Sequence, residues 1–227
     1  MASKDMKMKK NKQMINGTLL VLLVTMIVVM CMSLFNIYKV RTAVDGSSHT
    51  VDRDQISNKY INDYYSIGNN ATDINKEYFL DLNQAIEAKD NKKIAEDIVK
   101  CFVTEYYTWS NKDGNYDVGG TQYIYTDRKA DFVSYSRDNF YSNMDEYLMN
   151  NTHSTLMEVS KVSIDSTSEG QFSVMNAAGE SVNYPSYDVT ASWEYKASSS
   201  VDTNVLQKHA VFHVIDHDGR MEIAGIE

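Results

Sequence analysis

The stretch from Gly17 to Tyr38 constrains the chain most, because it holds no charged residue and consists mainly of Leu, Val, Ile and Met. A helix rises about 1.5 Å per residue, so one of this length crosses the ~30 Å hydrocarbon core of a bilayer. It also satisfies its backbone hydrogen bonds internally, as a segment in lipid must. A core helix of a soluble protein is the alternative, but such helices normally keep a polar face. The stretch therefore predicts a transmembrane helix over residues 17–38.

Charges on the two sides of this helix predict its orientation. Five lysines precede it in residues 1–16 against the single acid Asp5, whereas only Lys39 and Arg41 follow it before Asp45. Because the more positive flank stays inside, residues 1–16 are predicted to be a cytoplasmic tail and the rest of the chain to be exported. A cleaved signal peptide would have an apolar region of about 7–15 residues and a small-x-small site. The nearest such site carries Arg41 in place of a small residue, so we expect an uncleaved single-pass anchor in the cell membrane.

Charge and cysteine content limit what the exported part does. The chain has a net charge of −9, and the part after residue 38 holds 17 basic and 30 acidic residues, or −13. A nucleic-acid-binding domain needs a cationic face, so no nucleic-acid partner is predicted. Cys31 lies in the predicted span and Cys101 outside it, so they cannot form a disulfide within one chain. An ordinary hydrophobic core must therefore hold the domain together.

Residues 39–71 are predicted to form a juxtamembrane linker or stalk that is partly helical. Ile56, Tyr60, Tyr64 and Ile67 fall at helical spacing within this segment. Either an amphipathic helix packed on a neighbour or a solvated, half-formed helix would give this spacing.

Helical periodicity returns after residue 72. Thr72 or Asp73 is placed to cap one helix, and the Asp90-Asn91 break precedes a second that runs to Trp109. A third helical region, in one or two pieces, covers residues 127–150, with Ser136 as a cap for its second piece. The predicted apolar stripes, in chain order, are Ile74, Tyr78, Leu82 and Ile86; Ile94, Ile98, Phe102, Tyr106 and Trp109; and Phe132, Tyr135, Phe140, Met144, Tyr147 and Leu148. Cys101 flanks the second stripe and is predicted to be a small buried hydrophobe.

Past Asn151 the apolar period changes from helical to alternating, which is typical of strands with one wet face. Ser168-Glu169-Gly170 predicts a turn between the first two strands, and Asp218-Gly219 predicts a hairpin before the last. The predicted strands cover residues 156–166, 171–176, 187–195, 205–215 and 220–226, with a turn region at 177–185. Helices followed by strands predict an α+β domain over residues 72–227, with helices on one face of an antiparallel sheet.

The order of elements is similar to that of the nuclear-transport-factor-2-like (cystatin-like) roll. Residues 85–109, which include Phe102, Tyr106, Tyr107 and Trp109, resemble the start of exported domains in TcpC-type and VirB-type inner-membrane subunits of type IV secretion systems. The single-pass anchor with its short basic tail adds to that resemblance. It implies one roll that scaffolds a conjugation or secretion channel, as a homo-oligomer that contacts other channel subunits.

Three histidines near the C-terminus suggest a metal site at first sight. His209, His213 and His217 lie four residues apart, but four residues of strand span about 13 Å, too far for two side chains to share one ion. We therefore expect surface histidines on the wet face and no metal.

The sequence contains no motif that identifies an enzyme. It has no Gly-rich phosphate loop, no Cys-x-x-Cys pair and no serine nucleophile elbow. A roll-type acid/base site would need Tyr106, Tyr107 or Tyr123 near a buried aspartate. We predict no catalytic residue and no cofactor, and name Tyr106, Tyr107, Trp109 and Trp193 as possible anchors of the core or of a partner. The alternatives are a roll whose cone binds or transforms a small apolar ligand, and an envelope sensor or ring component.

Overall fold

The computed structural model describes residues 60–68 and 70–227, and its first long elements are two helices. Helix α1 spans Asp73–Ala88 and helix α2 spans Asn91–Tyr106. The Thr72 hydroxyl accepts the backbone N–H of Asn75 at 3.4 Å, and the Asp90 carboxylate accepts that of Lys93 at 3.0 Å. Both predicted starts are confirmed, since these side chains satisfy backbone donors that a first helical turn leaves free. The predicted tail, the predicted anchor and most of the predicted linker lie outside the described residues.

The C-terminal end of α2 and the helices that follow differ in detail from the prediction. Helix α2 ends three residues before Trp109, because the Trp109 backbone N–H donates instead to the carbonyl of Met157 at 2.9 Å. The region after residue 127 is helical in two pieces, α3 (Lys129–Asp138) and α4 (Met144–Asn150). The prediction that Ser136 caps the second piece is wrong: Ser136 is buried inside α3 and accepts a hydrogen bond from the Tyr106 hydroxyl at 3.2 Å.

Four antiparallel strands form one sheet in the order β1-β2-β3-β4. They span Val159–Met175, Ser181–Tyr195, His209–His217 and Arg220–Ile226. Helix α2 packs on one face, where the Phe102 and Phe212 rings lie 5.9 Å apart. The α+β class, with helices against an antiparallel sheet, is therefore confirmed. The predicted Asp218-Gly219 turn is also confirmed, with both residues at positive φ (54° and 82°), as a two-residue hairpin turn requires.

The first hairpin is longer than the sequence predicts. Residues 159–175 form one strand instead of two, and Gly170 pairs with Ser186 inside the ladder. The predicted turn at 168–170 is wrong, because these polar residues occupy the exposed middle of a long strand. Pro185, predicted in a turn, lies within β2 opposite Gln171. It is tolerated because the pairing with β3 reaches only to Ser186, so β2 is an edge strand at Pro185. The predicted fourth strand likewise begins at His209 instead of Val205.

Residues 61–68 pack on the domain, but not as a helix. Ile61 and Ser66 form an isolated antiparallel bridge, so the helical spacing of this segment is not realised here. Tyr65 is only 4% exposed, and its hydroxyl donates to the Met221 carbonyl at 2.6 Å. Ile67 is equally buried. The packed part of the chain therefore includes residues that precede 72.

The sheet curls, and this gives it a second, smaller core on the face opposite α2. The far end of the β1–β2 hairpin folds over β3 and β4, where the Phe172 ring stacks on His213 at 4.2 Å. The backbone N–H of Ala177, at the hairpin tip, reaches the Asp127 carboxylate at 2.9 Å. The buried members of this second core are Tyr125, Val174 and Ile215. The main core fills the space between the helices and the other face of the sheet.

Candidate functional site

The four predicted aromatic anchors lie in the main core. Tyr106, Tyr107, Trp109 and Trp193 are between 3% and 8% exposed. The Tyr106 and Tyr107 rings lie 4.9 Å apart, and the Tyr107 and Trp193 rings 4.6 Å apart. Trp109 lies apart from this row and meets Phe140 at 5.5 Å. The fold thus brings three of the four into one contiguous row and links the fourth through a neighbour.

The same aromatic side chains fill the space enclosed by the sheet. Phe212 is fully buried between Phe102 and Trp193, whose rings lie 5.9 and 6.5 Å away. Tyr106 stacks on Phe102 at 5.2 Å. This part of the interior is therefore packed with side chains, which disfavours the ligand-in-cone alternative at this point of the fold.

A groove of about 530 Å³ opens at the edge of this aromatic row, beside strand β4. We call it the β4 groove. Its floor includes Tyr106 and Tyr107, one wall is the C-terminal half of β4, and the other wall is helix α3. The residues that line it are Tyr106, Tyr107, Ile124, Tyr125, Arg128, Asp131, Phe132, Tyr135, Gln207 and residues 223–227. Two of the predicted anchors thus line this groove.

Strand β4 presents backbone hydrogen-bonding groups to the groove side. Glu227 exchanges two backbone hydrogen bonds with Val211, each at 2.9 Å, so the adjacent Ile226 directs its N–H and C=O away from β3. Further along this edge, the Ile223 carbonyl accepts the backbone N–H of Tyr125 at 2.9 Å. The chain then turns away into the 3-10 turn Thr126–Arg128. An extended peptide could continue the pairing that Tyr125 begins.

The groove is amphipathic. Burial raises the pKa of Tyr106 and Tyr107, so both hydroxyls keep their protons, and Tyr107 donates to the Gln207 side chain at 3.2 Å. Arg128 and Asp131 form an ion pair at 3.3 Å on the rim. Tyr135 contributes a ring that is 67% exposed. Buried aromatic floors with polar rims are typical of surfaces that bind proteins.

The sequence analysis did not predict that Tyr135 and the charged residues of the rim belong to a surface site. The helical period assigned Tyr135 to the apolar, core-facing side, and this is wrong, because only Ser136 of α3 is buried. Arg128, Asp131 and Gln207 belong to different segments that meet only in the folded chain, so their spacing carries no signal. The one hint was the aromatic end of α2 at Tyr106 and Tyr107.

A half-buried carboxylate beside a tyrosine occurs elsewhere, on α2. Burial raises the pKa of Glu105, whose carboxylate accepts hydrogen bonds from the Gly120 N–H at 3.1 Å and from the Tyr123 hydroxyl at 3.3 Å. Gln122 donates to it as well, at 3.3 Å. Neither Glu105 nor Tyr123 lines the β4 groove. The cluster fastens the loop after α2 to the helix, because each donor comes from residues 120–123.

Cys101, on the same helix, is fully buried as a small core side chain, as predicted.

Each of the three histidines has its own carboxylate neighbour. His213 lies 2.8 Å from Asp188, and His217 lies 3.0 Å from Glu222. Only the exposed His209 fits the prediction of surface histidines, because the curled hairpin covers the other two. Across residues 60–68 and 70–227, no group of three or more His, Cys, Asp or Glu side chains is arranged to hold a metal ion.

Comparison with protein-family models, with curated proteins and with solved structures finds no match to this chain. Within the part of the chain that the structure describes, no helix is both long and apolar enough to cross a membrane, and the predicted span at residues 17–38 lies outside that part.

Proposed function

We propose that this protein is a membrane-anchored, non-enzymatic assembly subunit of a bacterial conjugation or type IV secretion channel. In this proposal residues 17–38 hold a roll of the nuclear-transport-factor-2-like type outside the cytoplasm. The exported domain acts by self-association and by contacts with other channel subunits. The apolar stretch, the lysines before it, and the order of helices and strands support the proposal.

The β4 groove is the observation that carries it. The groove combines a strand edge at Ile226, a floor of Tyr106 and Tyr107, and a rim that carries both signs of charge. An extended segment of another protein would gain main-chain hydrogen bonds at the edge and apolar burial on the floor. Such a surface suits an assembly subunit.

Photo-crosslinking of the full chain in native membranes tests the proposal. p-Benzoylphenylalanine replaces Tyr135 in the groove or, as the matched control, Met149 on α4, which is 79% exposed. We expect position 135 to capture protein partners, identified by mass spectrometry as other envelope subunits or as a second copy of this chain, and position 149 to give little adduct. Equal capture at both positions, or no protein adduct at position 135, would contradict the proposal.

A further inference from the structure

Helix α3 is weakly packed for its length. Of its ten residues only Ser136 is buried, while Phe132 and Val133 are half-buried. Isolated helices shorter than about 12–15 residues are marginal in water, and most helices in proteins are stabilised by packing. A second surface against α3 would therefore stabilise it.

A second groove, of about 820 Å³, runs along α3 and provides the place for that surface. We call it the α3 groove. It is lined by Asn115, Thr126, Lys129, Ala130, Val133, Ser134, Arg137 and Asp138. Lys129, Val133 and Arg137 form one row at four-residue spacing, so the two cations stand about 12 Å apart along the helix.

Two cations, Lys129 and Arg137, line this groove. The other two arginines of the described residues are paired elsewhere, Arg128 with Asp131 at 3.3 Å and Arg220 with Glu222 at 3.2 Å. Asp138 lines the groove beside Arg137 and offsets part of the charge. The chain after residue 38 carries −13, so a second copy of it offers acidic groups to this row.

Helix α1 carries the complementary charge at the same spacing. Asp73, Glu77 and Asp81 follow one another at steps of four, on the side away from the buried Phe79 and Leu82. The distance from Asp73 to Asp81 along the helix is again about 12 Å. Lys76 pairs with Asp73 at 3.3 Å, and opposite charges on a partner would relieve the repulsion between Glu77 and Asp81, because like charges four residues apart destabilise a helix. We call these three residues the acidic stripe.

We infer that the α3 groove of one copy receives helix α1 of a second copy, with the acidic stripe against Lys129 and Arg137. The inference rests on the proposed function and specifies its self-association. Because the groove and the stripe are different patches of the same chain, the contact is head-to-tail. Contacts of this type repeat from copy to copy, and they close into a ring or extend into a filament.

Cysteine crosslinking in membranes tests this arrangement on the full chain. Two differently tagged copies, both with Cys31→Ser, carry Ser134→Cys in the groove and Leu80→Cys beside the stripe, and a short bis-maleimide joins them. We expect a strong Ser134–Leu80 crosslink, little crosslinking between two Ser134→Cys copies, and little when Met149→Cys replaces Ser134→Cys. Equal crosslinking between two Ser134→Cys copies would overturn the head-to-tail contact.

Charge reversal supplies the decisive comparison. Lys129→Glu with Arg137→Glu in one copy, or Glu77→Lys with Asp81→Lys in the other, should lower the crosslink yield about tenfold. Combining both reversals should restore it, since attraction returns with the signs exchanged. The inference would be overturned if either reversal left the crosslink yield unchanged, or if the combination of both reversals did not restore it. Circular dichroism of each variant checks that the helices still form.

Co-purification of the two tags without crosslinker separates this inference from the proposed function. If the tags co-purify while Ser134 and Leu80 do not crosslink, the α3 groove is not the interface and self-association stands. If the tags do not co-purify, both the inference and the proposed self-association fail.

Discussion

Replacing Gly225 by alanine would push apart the two layers of the curled sheet. A Cβ atom at Gly225 would lie 2.6 Å from Phe172 Cζ and 3.1 Å from His213 Cδ2. Carbon atoms in favourable contact are about 3.5–4.0 Å apart, so the overlap with the Phe172 ring is about 1 Å. Overpacking of this kind costs about 1–3 kcal/mol. For a domain of this size the melting temperature should fall by about 2–4 °C per kcal/mol.

The assay is urea unfolding of the full chain in detergent, followed by tryptophan fluorescence. Trp109 and Trp193 are the only tryptophans in the sequence, and both are buried in this domain, so the signal reports its unfolding alone. Gly68→Ala is the matched control, because a Cβ there meets nothing within 4 Å. That variant should be unchanged or more stable by up to about 1 kcal/mol, through the lower entropy of its unfolded chain.

A double-mutant cycle with Phe172→Ala locates the cause of the loss. Removing the ring removes the overlap, so Gly225→Ala should cost about 1 kcal/mol less in the Phe172→Ala background than in the wild type. If the two changes are additive, or if Gly225→Ala behaves like Gly68→Ala, the hairpin does not cover β4 as described.

Three further outcomes are expected. Tyr65→Phe leaves a backbone carbonyl of β4 without its donor and should cost about 1–2 kcal/mol in urea unfolding, whereas Tyr64→Phe, at a ring 48% exposed, should cost almost nothing. Burial raises the pKa of Glu105, so the stability it contributes is complete below the unfolded-state pKa and is lost as the pH rises through the folded-state pKa. Between these two pKa values the free energy of unfolding of Glu105→Gln should therefore rise relative to that of the wild type as the pH increases, as measured by urea unfolding at a series of pH values. A difference that does not change with pH would contradict this. A cysteine replacing Tyr116 should react with a membrane-impermeant maleimide on intact cells and one replacing Lys9 should not, and the reverse pattern would overturn the predicted orientation.

Local chemistry explains which elements could be predicted from the sequence. Thr72 and Asp90 cap their helices with short-range hydrogen bonds, and Asp218-Gly219 adopts the positive φ values that its hairpin turn demands. These features depend on a few neighbouring residues. The alternation of apolar residues around Trp193 likewise reflects one wet face and one buried face.

The features that could not be predicted depend on residues far apart in the chain. Gly170 looks like a turn residue, and only its pairing with Ser186 shows that it belongs to a strand. Tyr65 is buried because β4 offers it a carbonyl, which no local spacing reveals. Tyr135 is exposed because α3 lies at the edge of the domain, although its position in the helical period resembles that of a core residue. The β4 groove could not be predicted for the same reason, since it forms only when α2, α3 and β4 meet.

The hydrogen bond from Tyr65 to Met221 has a consequence for the order in which the chain folds. It joins residues 156 positions apart, and Ile124 pairs with Ile223, 99 positions further along the chain. Contacts of such high sequence separation form late, because a long loop must close first. Helices α1 and α2 meet earlier strands first, since the Tyr78 hydroxyl donates to the Val162 carbonyl of β1 and Phe102 contacts Phe212 of β3. Tyr65 and Ile124 find their partners only on β4, so the chain completes its core only when its last strand arrives.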